Sequence, residues 1–246
     1  MTQCILTKYR TDKCASCTHL CPHRIALEGM DGKSGRIGNS GLPADYRGIT
    51  LDNSPAREAQ AEIYRMLGGY VKTFRRYRTG DSKRIKSLYL WSESPGTGKT
   101  TTASALLNEW IAQDYLGALK NGEQPSQTPA IFFDANEFQT RYNLATMSND
   151  DSELERIGND IKRAQTAPFV VFDDVGIRSS TEAFKSYIHA IINHRTANGM
   201  PTVYTSNLPL EEMATVFDAR LYDRMRDQCV EVAFLGESKR GRRVMA

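Results

Sequence analysis

The chain has 246 residues, of which 40% are hydrophobic and 25% charged, and its formal net charge is +3. That length fits one full domain with a small appendage, and that apolar fraction fills a core. So small a net charge sets up no global field that calls for nucleic acid, and no apolar run is long enough to span a bilayer, so a soluble cytoplasmic protein without a membrane partner is expected.

Four of the five cysteines, Cys4, Cys14, Cys17 and Cys21, lie near the amino terminus, and Cys229 stands near the other end. In a cytoplasmic chain the spacing Cys14-x2-Cys17-x3-Cys21, with His19 and His23 interleaved, favours a metal over disulfides, because thiolates on a tight turn converge on one tetrahedral ion. Zinc is expected on Cys14, Cys17 and Cys21, with Cys4 or His23 as fourth ligand and His19 a spectator. An iron-sulfur motif of the bacterial ferredoxin type would need a further cysteine where Thr11 stands. From Glu28 to Asn53 the chain is rich in Gly, Ser and Asn without sustained periodicity, which reads as a linker or an irregular module edge. A Cys-rich module with its linker is therefore expected over 1–53 and a second domain over 54–246.

Ser54 and Pro55 read as the cap and first turn of a helix that continues through Ala59, Ile63, Met66, Leu67, Tyr70, Val71 and Phe74. It runs into a basic stretch, Lys72, Arg75, Arg76, Arg78, Lys83, Arg84 and Lys86, which is either a solvated face or a contact for DNA phosphates or nucleotide. The apolar run Leu88-Tyr89-Leu90-Trp91 then leads into Ser94-Pro95-Gly96-Thr97-Gly98-Lys99-Thr100 and an Ala- and Leu-rich helical pattern. Strand, glycine turn, Lys-Thr and helix in this order form a triphosphate cradle: the turn's N–H groups and Lys99 face the phosphates, and the Thr100 hydroxyl reaches Mg²⁺. The candidate phosphate-binding residues are Pro95, Gly96, Thr97, Gly98, Lys99, Thr100 and Thr101. Glu93 stands where the full pattern has its first glycine.

Strand and helix patterns alternate from here, which predicts an α/β domain with a largely parallel, five-stranded sheet covered on both faces. Ala130-Ile131-Phe132-Phe133 is one strand, and a polar helix around Ser152 to Ala164 follows it. Phe169-Val170-Val171-Phe172 ends in the carboxylate pair Asp173-Asp174. At the carboxyl edge of a parallel sheet, beside the phosphate loop, Asp173 would bind Mg²⁺ through water and Asp174 would deprotonate the attacking water. The strand Pro201-Thr202-Val203-Tyr204-Thr205-Ser206 delivers Asn207 to the same edge, either to position water or as a plain helix-entry residue. A last strand, Val230-Glu231-Val232-Ala233-Phe234, leaves a short basic tail.

Taken together these blocks resemble the AAA+ ATPases, P-loop NTPases of the ASCE type, and within them the bacterial replicative-helicase loaders of the DnaC and DnaI type, with IstB-like transposition helpers as kin. The resemblance spans roughly Ser54 to Val244 and rests on Pro95 to Thr100, Asp173-Asp174-Val175-Gly176, Thr205-Ser206-Asn207 and Arg220-Leu221-Tyr222-Asp223-Arg224-Met225. It implies ATP as the nucleotide, self-association through the ATP site, and an arginine finger acting across the subunit boundary. That role falls on Arg224, with Arg220 in reserve. The resemblance further implies that no helical lid follows the last strand, that Arg240 serves as a second sensor (Arg242 and Arg243 being alternatives), and that the Cys-rich module engages the helicase. Implied partners are a hexameric DnaB-like replicative helicase and single-stranded DNA. An IstB-like transposition helper and a nucleotide-binding adaptor without turnover are the other readings. Asp174 stands where most AAA+ proteins carry Glu, one methylene longer, which implies slow turnover.

Overall fold

The computed structural model describes residues 4–9, 14, 18–80, 83–176, 181–236 and 238. Five strands, β1 (Ser87–Trp91), β2 (Ala130–Asp134), β3 (Phe169–Asp173), β4 (Thr202–Ser206) and β5 (Cys229–Ala233), form one sheet in the order β2-β3-β4-β1-β5. Every pairing is parallel, with Phe132 opposite Val171, Val171 opposite Val203, and Leu88 between Val203 and Val230. The helices among the described residues are α1 (Pro22–Glu28), α2 (Gly35–Asn39), α3 (Ala61–Lys72), α4 (Arg76–Thr79), α5 (Lys99–Lys120), α6 (Ala135–Ser148), α7 (Asp151–Thr166), α8 (Glu182–Ala197), α9 (Met213–Val216) and α10 (Ala219–Gln228).

Alternate strand residues face opposite sides of the sheet, and each side has its own apolar layer. Leu88, Leu90, Phe132, Val171 and Val203 pack with Leu67 and Val71 of α3 and with Leu106 and Trp110 of α5. Tyr89, Ile131, Phe133, Phe172 and Tyr204 pack with Phe138 of α6, Ile157 of α7, Ile188 of α8 and Met225 of α10. In the first layer the Trp110 ring stacks on Phe169 with centroids 4.7 Å apart. Arg195 is fully buried behind the sheet, where its guanidinium donates to Ala164 O (2.9 Å), Ala167 O (2.8 Å) and Pro201 O (2.9 Å) and ties the end of α7 to the start of β4.

The stretch read as a linker is packed. Leu27, Ile37, Leu42 and Leu51 are buried in the same layer as β1 and α5, as are Cys4, Ile5 and Leu6. Phe132 N donates to Ser40 O at 2.7 Å, which covers part of the open edge of β2. Glu109 of α5 has no exposed surface, and its carboxylate accepts from Lys8 Nζ (2.9 Å), Leu51 N (3.2 Å) and the Tyr9 hydroxyl, so one buried charge fixes three points of this segment.

One sequence expectation needs correction and another finds no support. The helix read from Ser54 begins only at Ala61. The Ser54 hydroxyl is engaged with the Tyr64 hydroxyl at 2.6 Å, which in turn meets Thr102 Oγ1 at 2.8 Å, so residues 55–60 remain turns. The zinc site finds no support among the described residues. No three His, Cys, Asp or Glu side chains among the described residues come together to hold a metal. Cys4 is buried in the apolar layer, Cys21 precedes α1 as its cap, and His23 Nδ1 faces the Tyr115 hydroxyl at 2.9 Å. Cys14 and His19 join no such cluster, and Cys17 lies outside the described residues. Among the described residues, no helix is long and apolar enough to cross a membrane.

On α3 the residues Tyr64, Leu67 and Val71 face inward, while Gly68 and Gly69 lie exposed, and a Cβ built on either meets nothing within 4 Å. Glycine inside a helix costs about 0.5–1 kcal/mol relative to alanine. Gly68→Ala with Gly69→Ala is therefore expected to raise the melting temperature by roughly 4 °C. A calorimetric scan showing no rise would mean that these positions are not helical in solution.

Candidate functional site

A cleft of about 1010 Å³ opens at the carboxyl edge of the sheet, lined by the whole Pro95–Thr101 loop together with Asp173, Asp174, Thr205, Asn207 and Asn136. Parallel strands bring their loops to this edge, and β1, β3 and β4 are neighbours around it. The loop turns on two glycines, Gly96 (φ 73°) and Gly98 (φ 101°), the second of which caps α5. A Cβ on Gly98 would stand 2.6 Å from the Ala56 Cβ, so backbone shape and crowding both demand glycine there. With the loop so bent, the amide end of the 22-residue α5 faces the cleft, a setting that favours an anion.

Lys99 is almost buried, and its Nζ donates to Asn207 Oδ1 at 2.9 Å and, more weakly, to Ser92 O and Ser94 O at 3.4 Å. Asn207 thus meets the lysine directly across the cleft. Thr100 Oγ1 donates to Asp173 Oδ2 at 3.2 Å, and Thr205 Oγ1 donates to Asp173 Oδ1 at 2.6 Å. A hydroxyl and a carboxylate side by side form the hard-oxygen set that suits Mg²⁺. Asp174 sits just past β3 in a left-handed conformation (φ 59°), with its N–H on Thr205 Oγ1 at 2.9 Å. That turn swings its carboxylate toward α6, where Oδ2 accepts from Asn136 Nδ2 at 2.8 Å.

Burial pushes the Asp173 carboxyl up to about 6 from the ordinary 3.8, with the Asp134 and Asp174 carboxylates adding to the rise and the Thr205 and Thr100 hydroxyls opposing it. A carboxyl that binds its proton more tightly folded than unfolded adds stability at low pH, and that contribution disappears as pH rises through about 6. Between pH 4 and 7 the unliganded protein is expected to lose about 2 kcal/mol from this group, and Asp173→Asn should remove that part of the pH dependence. Urea titrations of both proteins at pH 4.5 and 7 check this. An equal stability difference between them at the two pH values would mean that Asp173 titrates normally.

Two contributors escaped the sequence reading. One wall of the cleft comes from Asp45, Tyr46 and Ile49, and the next from Pro55, Ala56 and Ala59. The first is fastened by Asn108 of α5, whose Nδ2 donates to Tyr46 O (2.9 Å) and Ile49 O (2.8 Å). Nothing local in residues 44–49 signals this, because the anchoring side chain lies far away in sequence. The second contributor, Asn136, follows the strand tip Asp134, which caps α6 through its bond to Asn136 N. A polar residue just past a strand at this edge was a usable signal.

The remaining candidates lie elsewhere. Arg220 and Arg224 are exposed on α10 and do not line the cleft; the Arg224 guanidinium meets Asn193 Oδ1 of α8. Arg240, Arg242 and Arg243 fall outside the described residues.

Sheet order, phosphate loop and acidic strand tip together define a P-loop fold of the AAA+, ASCE type. No family model matches the chain. Solved structures share the fold: the DnaC helicase loader, at 20% identity and a TM-score of 0.56 over 78% of this chain and 100% of that one, and DnaI, at 18% and 0.53 over 79% and 95%. In sequence the chain is 25% identical over 148 residues to the replicative helicase loader DnaC of Escherichia coli K12, covering 56% of this chain and 49% of DnaC. It is 23% identical over 237 residues to the loader DnaI of Bacillus subtilis 168, covering 89% and 67%, and 28% identical over 204 residues to the initiator DnaA of Mesoplasma florum, covering 76% and 42%. The chain is thus a distant homologue of the AAA+ proteins of replication initiation and helicase loading, and its match spans about half the length of DnaC.

Proposed function

We propose that the chain is an ATP-dependent loader of a hexameric replicative helicase, with ATP turnover serving as a switch. The observation that carries this reading is the meeting of Lys99, Thr100, Asp173, Asp174 and Asn207, drawn from three neighbouring strand ends, at the mouth of one cleft. In this reading Lys99 and the loop amides bind the phosphates of ATP. Thr100 and Asp173 hold Mg²⁺, which when bound neutralises phosphate charge. Asp174 takes a proton from the attacking water, Asn207 orients that water, and Arg224 of a neighbouring copy supplies positive charge as the γ-phosphate departs. The distant similarity to the replicative helicase loaders DnaC and DnaI supports a replicative helicase as the target.

Turnover and partner are tested separately. Steady-state hydrolysis with and without single-stranded DNA asks whether the site is catalytic. Affinity capture from host lysate in ATP, read by mass spectrometry, asks for the partner: recovery of the replicative helicase is expected, whereas a transposase in its place would overturn the loader reading and leave the ATPase assignment intact.

A further inference from the structure

We propose that the solvent face of α3 is a docking surface for the sugar-phosphate backbone of duplex DNA. This site lies apart from the nucleotide cleft and does not rest on the helicase-loading reading. The face carries Arg65 and Lys72, with Arg75 one turn beyond, and all three are exposed; Glu62, exposed in the first turn, is its one acid, so the balance stays positive. Lys72 and Arg65 lie two turns apart, roughly 10 Å along the axis. None of the three forms an ion pair or side-chain hydrogen bond with any described residue. The contrast with nearby cations is sharp: Arg78 is paired with Asp114 (2.7 Å) and Glu123 (2.5 Å), Lys86 donates to Asp227 O (2.8 Å), and Arg57 is paired with Asp52 (3.2 Å). Within the basic stretch of the sequence, Arg78 and Lys86 therefore hold the fold, whereas Lys72 and Arg75 stand out to solvent.

Gly68 and Gly69 sit between Arg65 and Lys72 on that same face, at three- and four-residue spacing from both. They leave a shallow saddle flanked by positive charge, in which an incoming backbone approaches the helix more closely than any side chain would allow. An acidic protein surface would meet these charges through long side chains and needs no such saddle, whereas the phosphate backbone of a duplex brings its own charge to the helix surface. The rings nearby are engaged: Tyr70 packs edge-on against Phe74 (5.1 Å) and donates its hydroxyl to Lys86 O, and Tyr77, though 46% exposed, leans on Trp110 (5.2 Å) and carries the Arg78 guanidinium over its ring. Without a stacking platform the face suits paired bases better than single-stranded ones.

The test is fluorescence anisotropy of the full chain with a labelled 30-bp duplex and the matching 30-nucleotide single strand over a range of salt. Arg65→Ala/Lys72→Ala/Arg75→Ala should bind the duplex at least tenfold more weakly, with the slope of log affinity against log salt smaller by about three. Gly68→Gln/Gly69→Gln keeps the charge and improves the helix, so it should melt higher and still bind the duplex more weakly, a combination that misfolding cannot produce. Binding of a fluorescent ATP analogue should be unchanged in both variants, and Lys99→Ala should bind the duplex normally. Failure of the ATP analogue to bind the parental chain would count against the ATPase reading alone. Unchanged duplex affinity and salt slope in the triple variant, wild-type duplex affinity in the glutamine variant, tighter binding of single strand than duplex, or no duplex binding by the parental chain would each overturn the proposal.

Discussion

Lys99→Ala is expected to abolish nucleotide binding, and Asp174→Asn to leave binding intact while hydrolysis falls by at least a hundredfold. The two residues stand on opposite sides of the division between ground state and transition state. Lys99 starts the helix behind the phosphate loop and reaches across the cleft mouth to Asn207, so its ammonium lies where a triphosphate enters and contributes before any bond breaks. Asp174 contributes only when water must lose a proton, a role worth about two to four orders of magnitude. Asparagine is also a gentle replacement there, because it tolerates the left-handed backbone at φ 59° and keeps an oxygen for Asn136. Binding of a fluorescent ATP analogue and release of phosphate separate the two effects. Parental turnover by Asp174→Asn would remove Asp174 as the base.

Arg224→Ala is expected to bind ATP and lose its stimulated hydrolysis, and an equimolar mixture with Lys99→Ala to recover part of the activity that neither variant has alone. The arginine is exposed on α10 and does not line its own chain's cleft, so it reaches a γ-phosphate only if a neighbouring copy presents it. In the mixture some interfaces join an intact cleft on the Arg224→Ala chain to an intact arginine on the Lys99→Ala chain. Rescue there reports geometry, because a folding defect in either chain would not be cured by the other. Mixtures that co-assemble, by cross-linking, and remain at the level of the separate variants would dismiss Arg224 and make Arg220 the residue to test.

The features legible in the sequence are those whose cause is local. Runs such as Phe169-Val170-Val171-Phe172 are buried on both faces and read as strands of a parallel sheet, and the structure forms β3 there. Gly96 and Gly98 before Lys99-Thr100 announce a backbone that must turn left-handed, and both glycines do. The acidic pair at the strand tip and the strand before Asn207 follow from chain order and period, and these residues meet at one edge because parallel strands end there together.

What the sequence by itself determined was therefore the sheet, the phosphate loop and the presence of Lys99, Thr100, Asp173, Asp174 and Asn207 at its edge. The tertiary structure decided everything that depends on partners distant along the chain. Residues 44–49 become a wall of the cleft because the Asn108 amide holds their carbonyls, and the buried Glu109 carboxylate draws Lys8, Tyr9 and Leu51 onto α5. The Ser54 hydroxyl is engaged with that of Tyr64 and the helix starts later, and His23, one of two candidates for a fourth metal ligand, faces Tyr115. A buried polar group must be satisfied by whatever the fold brings within reach, and its partner in each of these cases is set by packing and not by spacing along the chain.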